Sequence, residues 1–183
     1  MRKLSLAELG RMNNEEHRKA QKLPVIVVLD NLRSQHNIGS IFRTADAFRF
    51  EAIYLCGISA TPPQREMNKT ALGATESVAW KYFETTLYAI EELKAKGYKI
   101  CSVEQTEGST PLSGFEIPAA NGLAVVFGNE VTGVDQSIVD ASDFCVEIPQ
   151  YGTKHSLNVA VSAGIISWEI VNQFIARHPG IIS

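Results

Sequence analysis

Six short runs of apolar and β-branched residues, at 25–29, 52–56, 78–83, 100–103, 123–127 and 144–148, alternate with segments of helical periodicity. The run at 25–29, β-branched and without polar alternation, suits a strand buried on both faces. Strands separated by helices pair side by side and point the same way. The pattern predicts an α/β fold with a mostly parallel sheet flanked by helices.

The helical segments carry their own boundary signals. Ser5 and Glu8 have capping-box spacing, so a helix is expected from there towards Lys19, halted by Pro24. Further helices are expected over 38–48, 65–72 and 85–96, the last ended by Gly97. Asp135 caps a short one through Ala141. Residues 158–174, interrupted by Ser162, Ser167 and Glu169, read as a helix apolar on all sides and therefore buried on all sides. No repeat, low-complexity tract or linker divides the chain, so one domain is expected over 1–183, with a basic opening helix at 1–22 and a core at 23–176.

Hydrophobic residues make up 45% of the 183 and charged residues 20%, which is a soluble globular composition. No apolar run approaches bilayer length, and the charged opening has no secretory core, so neither membrane nor export is expected. Cys56, Cys101 and Cys145 are odd in number and lack metal-ligand spacing, which predicts reduced core thiols, no metal and a cytoplasmic location. The net charge of −3 runs against nucleic-acid binding. It is unevenly spread, however: Arg2, Lys3, Arg11, Arg18, Lys19 and Lys22 outnumber Glu8, Glu15 and Glu16 in the opening segment. That segment reads equally as a solvated helix face or a phosphate-contacting patch.

Ligands of open parallel sheets sit beyond the carboxyl ends of the strands, which directs attention to loops 30–37, 104–111, 128–135 and 149–158. Three segments there carry unusual residues. In Asn37-Ile38-Gly39-Ser40-Ile41-Phe42-Arg43, the glycine at a helix start admits a close neighbour such as a phosphate, and Arg43 lies about one turn on. In Gly128-Asn129-Glu130-Val131-Thr132-Gly133-Val134, two glycines follow a strand without the spacing of a dinucleotide or phosphate loop. In Ile148-Pro149-Gln150-Tyr151-Gly152-Thr153-Lys154-His155-Ser156-Leu157-Asn158, a polar loop enters the apolar helix, with Ser156 as its expected N-cap. Asn158 there requires hydrogen-bond partners for its amide. Singly, each segment is also an ordinary loop or helix start.

Together and in this order, the three resemble the signature motifs of the SPOUT methyltransferases in their SpoU (TrmH-like) branch, over nearly the whole chain from about Val25. The resemblance implies a C-terminal deep trefoil knot, S-adenosyl-L-methionine as cofactor, and methylation of a ribose 2′-hydroxyl in tRNA or rRNA, with DNA not expected. It implies a homodimer whose active site lies close to the subunit interface. It places the catalytic set at Asn37, Arg43, Glu130, Ser156 and Asn158, and lines the cofactor pocket with Gly128, Ile148, Leu157 and Thr106. Gln150, Val134 and Val131 depart from the methionine, leucine and small residue common in relatives, which bears on substrate fit rather than cofactor use.

A sulfonium methyl is already activated, so neither metal nor covalent intermediate is required. The acceptor hydroxyl needs a base or an alkoxide stabiliser, an effect of about 10²–10⁴-fold. Arg43 is expected to act as a charge-assisted donor to the developing alkoxide and the adjacent phosphate, because a guanidinium stays protonated. Asn37 and Glu130 would orient the arginine and nucleotide, and Ser156 and Asn158 the ribose and loop. The competing readings are a SPOUT-type base methyltransferase, a non-catalytic module binding RNA or S-adenosylmethionine, and a nucleotide-dependent α/β enzyme.

Overall fold

A computed structural model describes residues 1–5 and 7–180. Residue 6, within the helix expected over 5–19, and residues 181–183, at the end of the expected domain, lie outside the described residues. In chain order the elements are α1 (Asn14–Lys19), β1 (Leu23–Asp30), α2 (Gln35–Ala47), β2 (Phe50–Cys56), α3 (Arg65–Ala71), α4 (Ala74–Ser77), β3 (Ala79–Phe83), α5 (Thr86–Ala95), β4 (Tyr98–Val103), β5 (Thr110–Pro111), β6 (Gly122–Phe127), α6 (Gln136–Ala141), β7 (Phe144–Glu147) and α7 (Val159–Arg177). The strands form one seven-stranded sheet, parallel at every pairing, in the order β3-β2-β1-β6-β4-β7-β5. The chain steps outward from β1 to β3, then returns to build the other half, with β6 inserted between β1 and β4. This reversal of direction opens a crevice at the carboxyl ends of the central strands.

Alternation along each strand divides the core in two. Val25, Val27 and Leu29 of β1 join Ile53, Leu55, Val125 and Phe127 under α2, α3 and α7. Ile26 and Val28 face the other way, with Tyr54, Ala124 and Val126, under α5 and α6. Burial raises the pKa of the Cys56 thiol to about 12 and also raises that of Cys101, as befits core thiols.

The opening helix begins later than its spacing suggested. The Ser5–Glu8 pair does form, the Ser5 N–H and hydroxyl both donating to Glu8 Oε2 at 2.7 Å, but it closes only a turn. A second capping box, Asn13 with Glu16, starts α1. Two elements, α4 and the two-residue β5, carry no periodic signal and were not expected. At α2, the close neighbour admitted by Gly39 is protein: a Cβ there would stand 2.2 Å from the Met67 carbonyl oxygen of α3. That glycine serves helix packing, not phosphate.

Helix α7 corrects the all-round burial expected of it. Ala163, Ile166, Ile170, Val171 and Phe174 enter the core, while Val161, Ile165, Trp168 and Ile175 stay exposed. At 19 residues and mean hydropathy 1.4 it is long and apolar enough to cross a membrane by length and composition, contrary to the reading of the sequence. Its inner face is nevertheless committed to the sheet and α2.

Candidate active site

A cleft of about 490 Å³ opens at the crevice. Its walls come from the ends of β4, β6 and β7: Val103 to Gln105, Phe127 to Gly133, and Glu147, Ile148, Gln150 and His155 to Val159. That volume lies within the range of small-molecule pockets, and apolar side chains such as Val103, Phe127, Ile148 and Leu157 share the lining with many polar ones. Gly128, Ile148 and Leu157, expected in the cofactor pocket, all line it. Thr106 does not: the contribution of that loop is Glu104 and Gln105, while the Thr106 carbonyl accepts from the Ser109 N–H at 3.1 Å.

The three motif segments meet at the lip. Glu130 accepts from the Arg33 N–H on Oε2 (2.9 Å), and from the Ser34 N–H (2.9 Å) and the Asn37 amide (3.1 Å) on Oε1. The Asn37 amide oxygen in turn accepts from Asn158 Nδ2 at 3.2 Å. Asn158 also caps α7, its Oδ1 taking the N–H groups of Ala160 (2.9 Å) and Val161 (3.4 Å). The N-cap is therefore Asn158 and not Ser156, because its amide oxygen reaches the free N–H groups of the first turn. Ser156 lines the cleft from the exposed loop. Burial would raise the pKa of Glu130, but the N–H groups of Arg33, Glu130 itself and Ser34, with the Asn37 amide, outweigh it and hold the carboxyl below its ordinary value. A charged carboxylate thus ties α2 to the loop after β6.

Arg43 is not brought to this cleft. It is not among the lining residues. With His36, Ser40 and Ala47 it forms the outward face of α2, the spacing of one helical stripe. Among the described residues its side chain has no hydrogen-bond or ion-pair partner. Arg43 is one turn on from Gly39, as expected, but it lies six residues beyond Asn37, about 240° around the axis from the side chain that meets Glu130.

The charges of the cleft are lopsided. Glu104, Glu130 and Glu147 line it, and among the described residues no lysine or arginine does. Such a lining repels a phosphate-rich ligand and suits one carrying positive charge, as a sulfonium does. Sequence reasoning missed two residues here. Glu104 lay in a loop marked for inspection without being singled out. Asn129 staples the second motif, donating through Nδ2 to the Asn31 carbonyl at 2.7 Å and accepting from the Val131 N–H at 2.9 Å.

Residues 24–168 match the family model described as the SpoU rRNA methylase family. The chain belongs to the SpoU rRNA methylase family. SpoU relatives include a protein of Staphylococcus saprophyticus assigned to the TrmH family of tRNA/rRNA methyltransferases, 33% identical over 153 residues, covering 83% of this chain and 60% of that one. A like-named protein of Staphylococcus aureus (strain MSSA476) is 29% identical, covering 90% and 64%. The chain thus spans less than two thirds of the length of these curated relatives. Among SpoU structures, the A. aeolicus TrmH/SpoU tRNA modifying enzyme superposes with a TM-score of 0.77 at 29% identity, over 90% of this chain and 81% of that one. The AdoMet-bound rRNA methyltransferase of Sinorhizobium meliloti gives 0.75 at 26%, over 85% and 58%.

Proposed function

We propose that this SpoU protein is an RNA methyltransferase that uses S-adenosylmethionine to methylate a ribose 2′-hydroxyl of tRNA or rRNA, working as a cytoplasmic homodimer. The observation that carries the reading is the chain Asn158–Asn37–Glu130, which joins all three motif segments at the mouth of an acidic cleft. Residues 1–183 act as one domain, 23–176 being its catalytic core, with the C-terminal trefoil knot of its relatives. Gly128, Ile148, Leu157, Glu104 and Gln105 hold the cofactor. When bound, the cofactor supplies a methyl group already activated on a sulfonium sulfur.

The protein's own work is to place the acceptor oxygen and manage its proton. Ser156 and Asn158 hold the ribose at the lip. Glu130 and Asn37 keep that lip closed on α2. Arg43 donates to the developing alkoxide and to a neighbouring phosphate, charge-assisted bonds that strengthen as negative charge builds up. It stands outside the cleft of its own protomer, so it acts in that of a partner. Support comes from the exposed apolar stripe Val161, Ile165 and Trp168 on α7, the helix that packs against α2, which carries Arg43. Apolar stripes of this kind are what symmetric dimers cover.

RNA phosphates fall to Arg33, Arg43 and Lys154, exposed cations whose side chains have no partner among the described residues. The opening segment is less available than its charge suggested: Arg2 is paired with Glu8 and Lys19 with Glu15. Labelled S-adenosylmethionine with tRNA and rRNA, followed by nuclease digestion and mass spectrometry, is expected to yield a 2′-O-methylnucleoside. A methyl group on the base would overturn the ribose assignment. Arg43→Ala is expected to lower turnover about 10²–10⁴-fold with cofactor affinity unchanged; near-normal turnover would remove the arginine from the mechanism.

A further inference from the structure

Glu104 follows β4 directly and is held in an unusual way. Its Oε1 accepts from the Gln105 N–H at 2.9 Å and its Oε2 from the Val134 N–H at 3.0 Å. Both donors are neutral backbone groups, so they fix the carboxylate without cancelling its charge. Among the described residues, no lysine or arginine lines the cleft beside it. The loop after β6 is shaped around this group: Gly133 has φ +73°, and a Cβ there would stand 2.2 Å from Glu104 Oε2. A side chain at position 133 would therefore expel the carboxylate from its seat. Glu147 lines the same cleft, half-buried, with no side-chain partner among the described residues. Glu130, by contrast, spends its lone pairs on the N–H groups of Arg33, Ser34 and Glu130 itself and on the Asn37 amide.

We propose that Glu104, seconded by Glu147, is a specificity-determining wall of the cofactor cleft that distinguishes the sulfonium cofactor from its neutral thioether product. The inference rests on the cofactor named above. In the transfer, the bond between the methyl carbon and sulfur breaks, its electron pair stays on sulfur, a bond to the acceptor oxygen forms, and the hydroxyl proton leaves to solvent. The cleft contents lose one positive charge while the carboxylates stay. Attraction between unit charges a few ångströms apart is substantial in a half-enclosed site. The cleft therefore holds the donor form and releases the spent one, which limits product inhibition.

Calorimetric titration of the whole protein with S-adenosylmethionine and with S-adenosylhomocysteine tests this directly. Glu104→Gln is expected to weaken the sulfonium ligand about tenfold and the thioether no more than about threefold, so the preference collapses. Equal weakening of both would reduce Glu104 to a loop clamp and overturn the proposal. Glu147→Gln breaks no hydrogen bond, so it reports on charge alone, with an expected two- to threefold loss of preference, on the order of a fraction of 1.4 kcal/mol. No change of preference in that variant counts against the charge argument. Raising salt should erode the wild-type preference as well. If the ribose assignment failed instead, the methyl would appear on a base while these titrations stayed as described.

Discussion

The loops after β6 and β7 face each other across one cleft, yet they are built in opposite ways. The first is tied to its surroundings at almost every residue. Asn129 and Gly133 exchange backbone hydrogen bonds, both at 2.9 Å. Asn129 reaches the loop after β1, Glu130 reaches α2, and Val134 rests on Glu104. The second is exposed from Tyr151 to Asn158, and Tyr151 is 96% exposed. Among the described residues, its one hydrogen bond before the α7 cap runs from Gln105 Nε2 to the His155 carbonyl, at 3.2 Å. One wall of the cleft is tied down by the fold, and the other lies open to solvent with few ties of its own. Ordering an exposed loop on binding costs conformational entropy, a cost that the tied loop does not incur.

The sharpest way to break this comparison is Gly128→Ala. Its Cβ would lie 2.1 Å from the Gly133 carbonyl carbon and from Val134 N, backbone atoms that cannot step aside. Overpacking on that scale should lower the unfolding free energy by about 1–3 kcal/mol and abolish measurable cofactor binding. Urea unfolding and calorimetry read the two effects, and wild-type values in both would mean the loop is not rigid.

Glu130→Gln probes the tie itself. It should lower stability at pH 7 by about 1–3 kcal/mol, since hydrogen bonds to a charged acceptor are exchanged for weaker ones. The sign of the pH dependence follows from the lowered carboxyl. Its stabilisation is complete above the ordinary value of 4.5 and is lost as pH falls through the lower folded value. The deficit of the variant should therefore shrink in acid. A deficit independent of pH would make the role one of shape, not charge.

Hydrogen exchange compares the loops without mutation. Amides at 151–157 should exchange rapidly in the free protein and slow by about tenfold or more with S-adenosylmethionine, while those at 129–134 stay protected throughout. The smallest effect belongs to Gly152→Ala. A Cβ there has nothing within 4 Å, so stability should stay within about 0.5 kcal/mol of wild type. A larger loss would reveal packing in the open loop.

Much of this was legible beforehand. The six apolar runs all became strands, since β-branched residues flanked by turn residues have few alternatives. Their ends shifted where tertiary contacts extend them: β1 begins at Leu23 and takes in Pro24, which sits where the ladder with β2 changes register and needs no N–H. The helix starts at Ser5 and Ser156 were misplaced because a second capping residue lay close by in each case, Asn13 and Asn158. Side-chain preference names the possible caps. Only the path of the backbone chooses between them.

The amino-acid order alone determined the parallel α/β layout, the three polar segments at strand ends, and the residue types Asn37, Glu130 and Asn158 that meet there. Those are local properties, written in periodicity and in short motifs. The folded chain decided that partners 93 and 121 residues apart touch, that Glu104 rather than Thr106 lines the cleft, and that Arg43 does not line it. Such outcomes depend on strand order and on the rotation of a helix about its axis once it is packed. Neither is encoded in any single stretch of sequence.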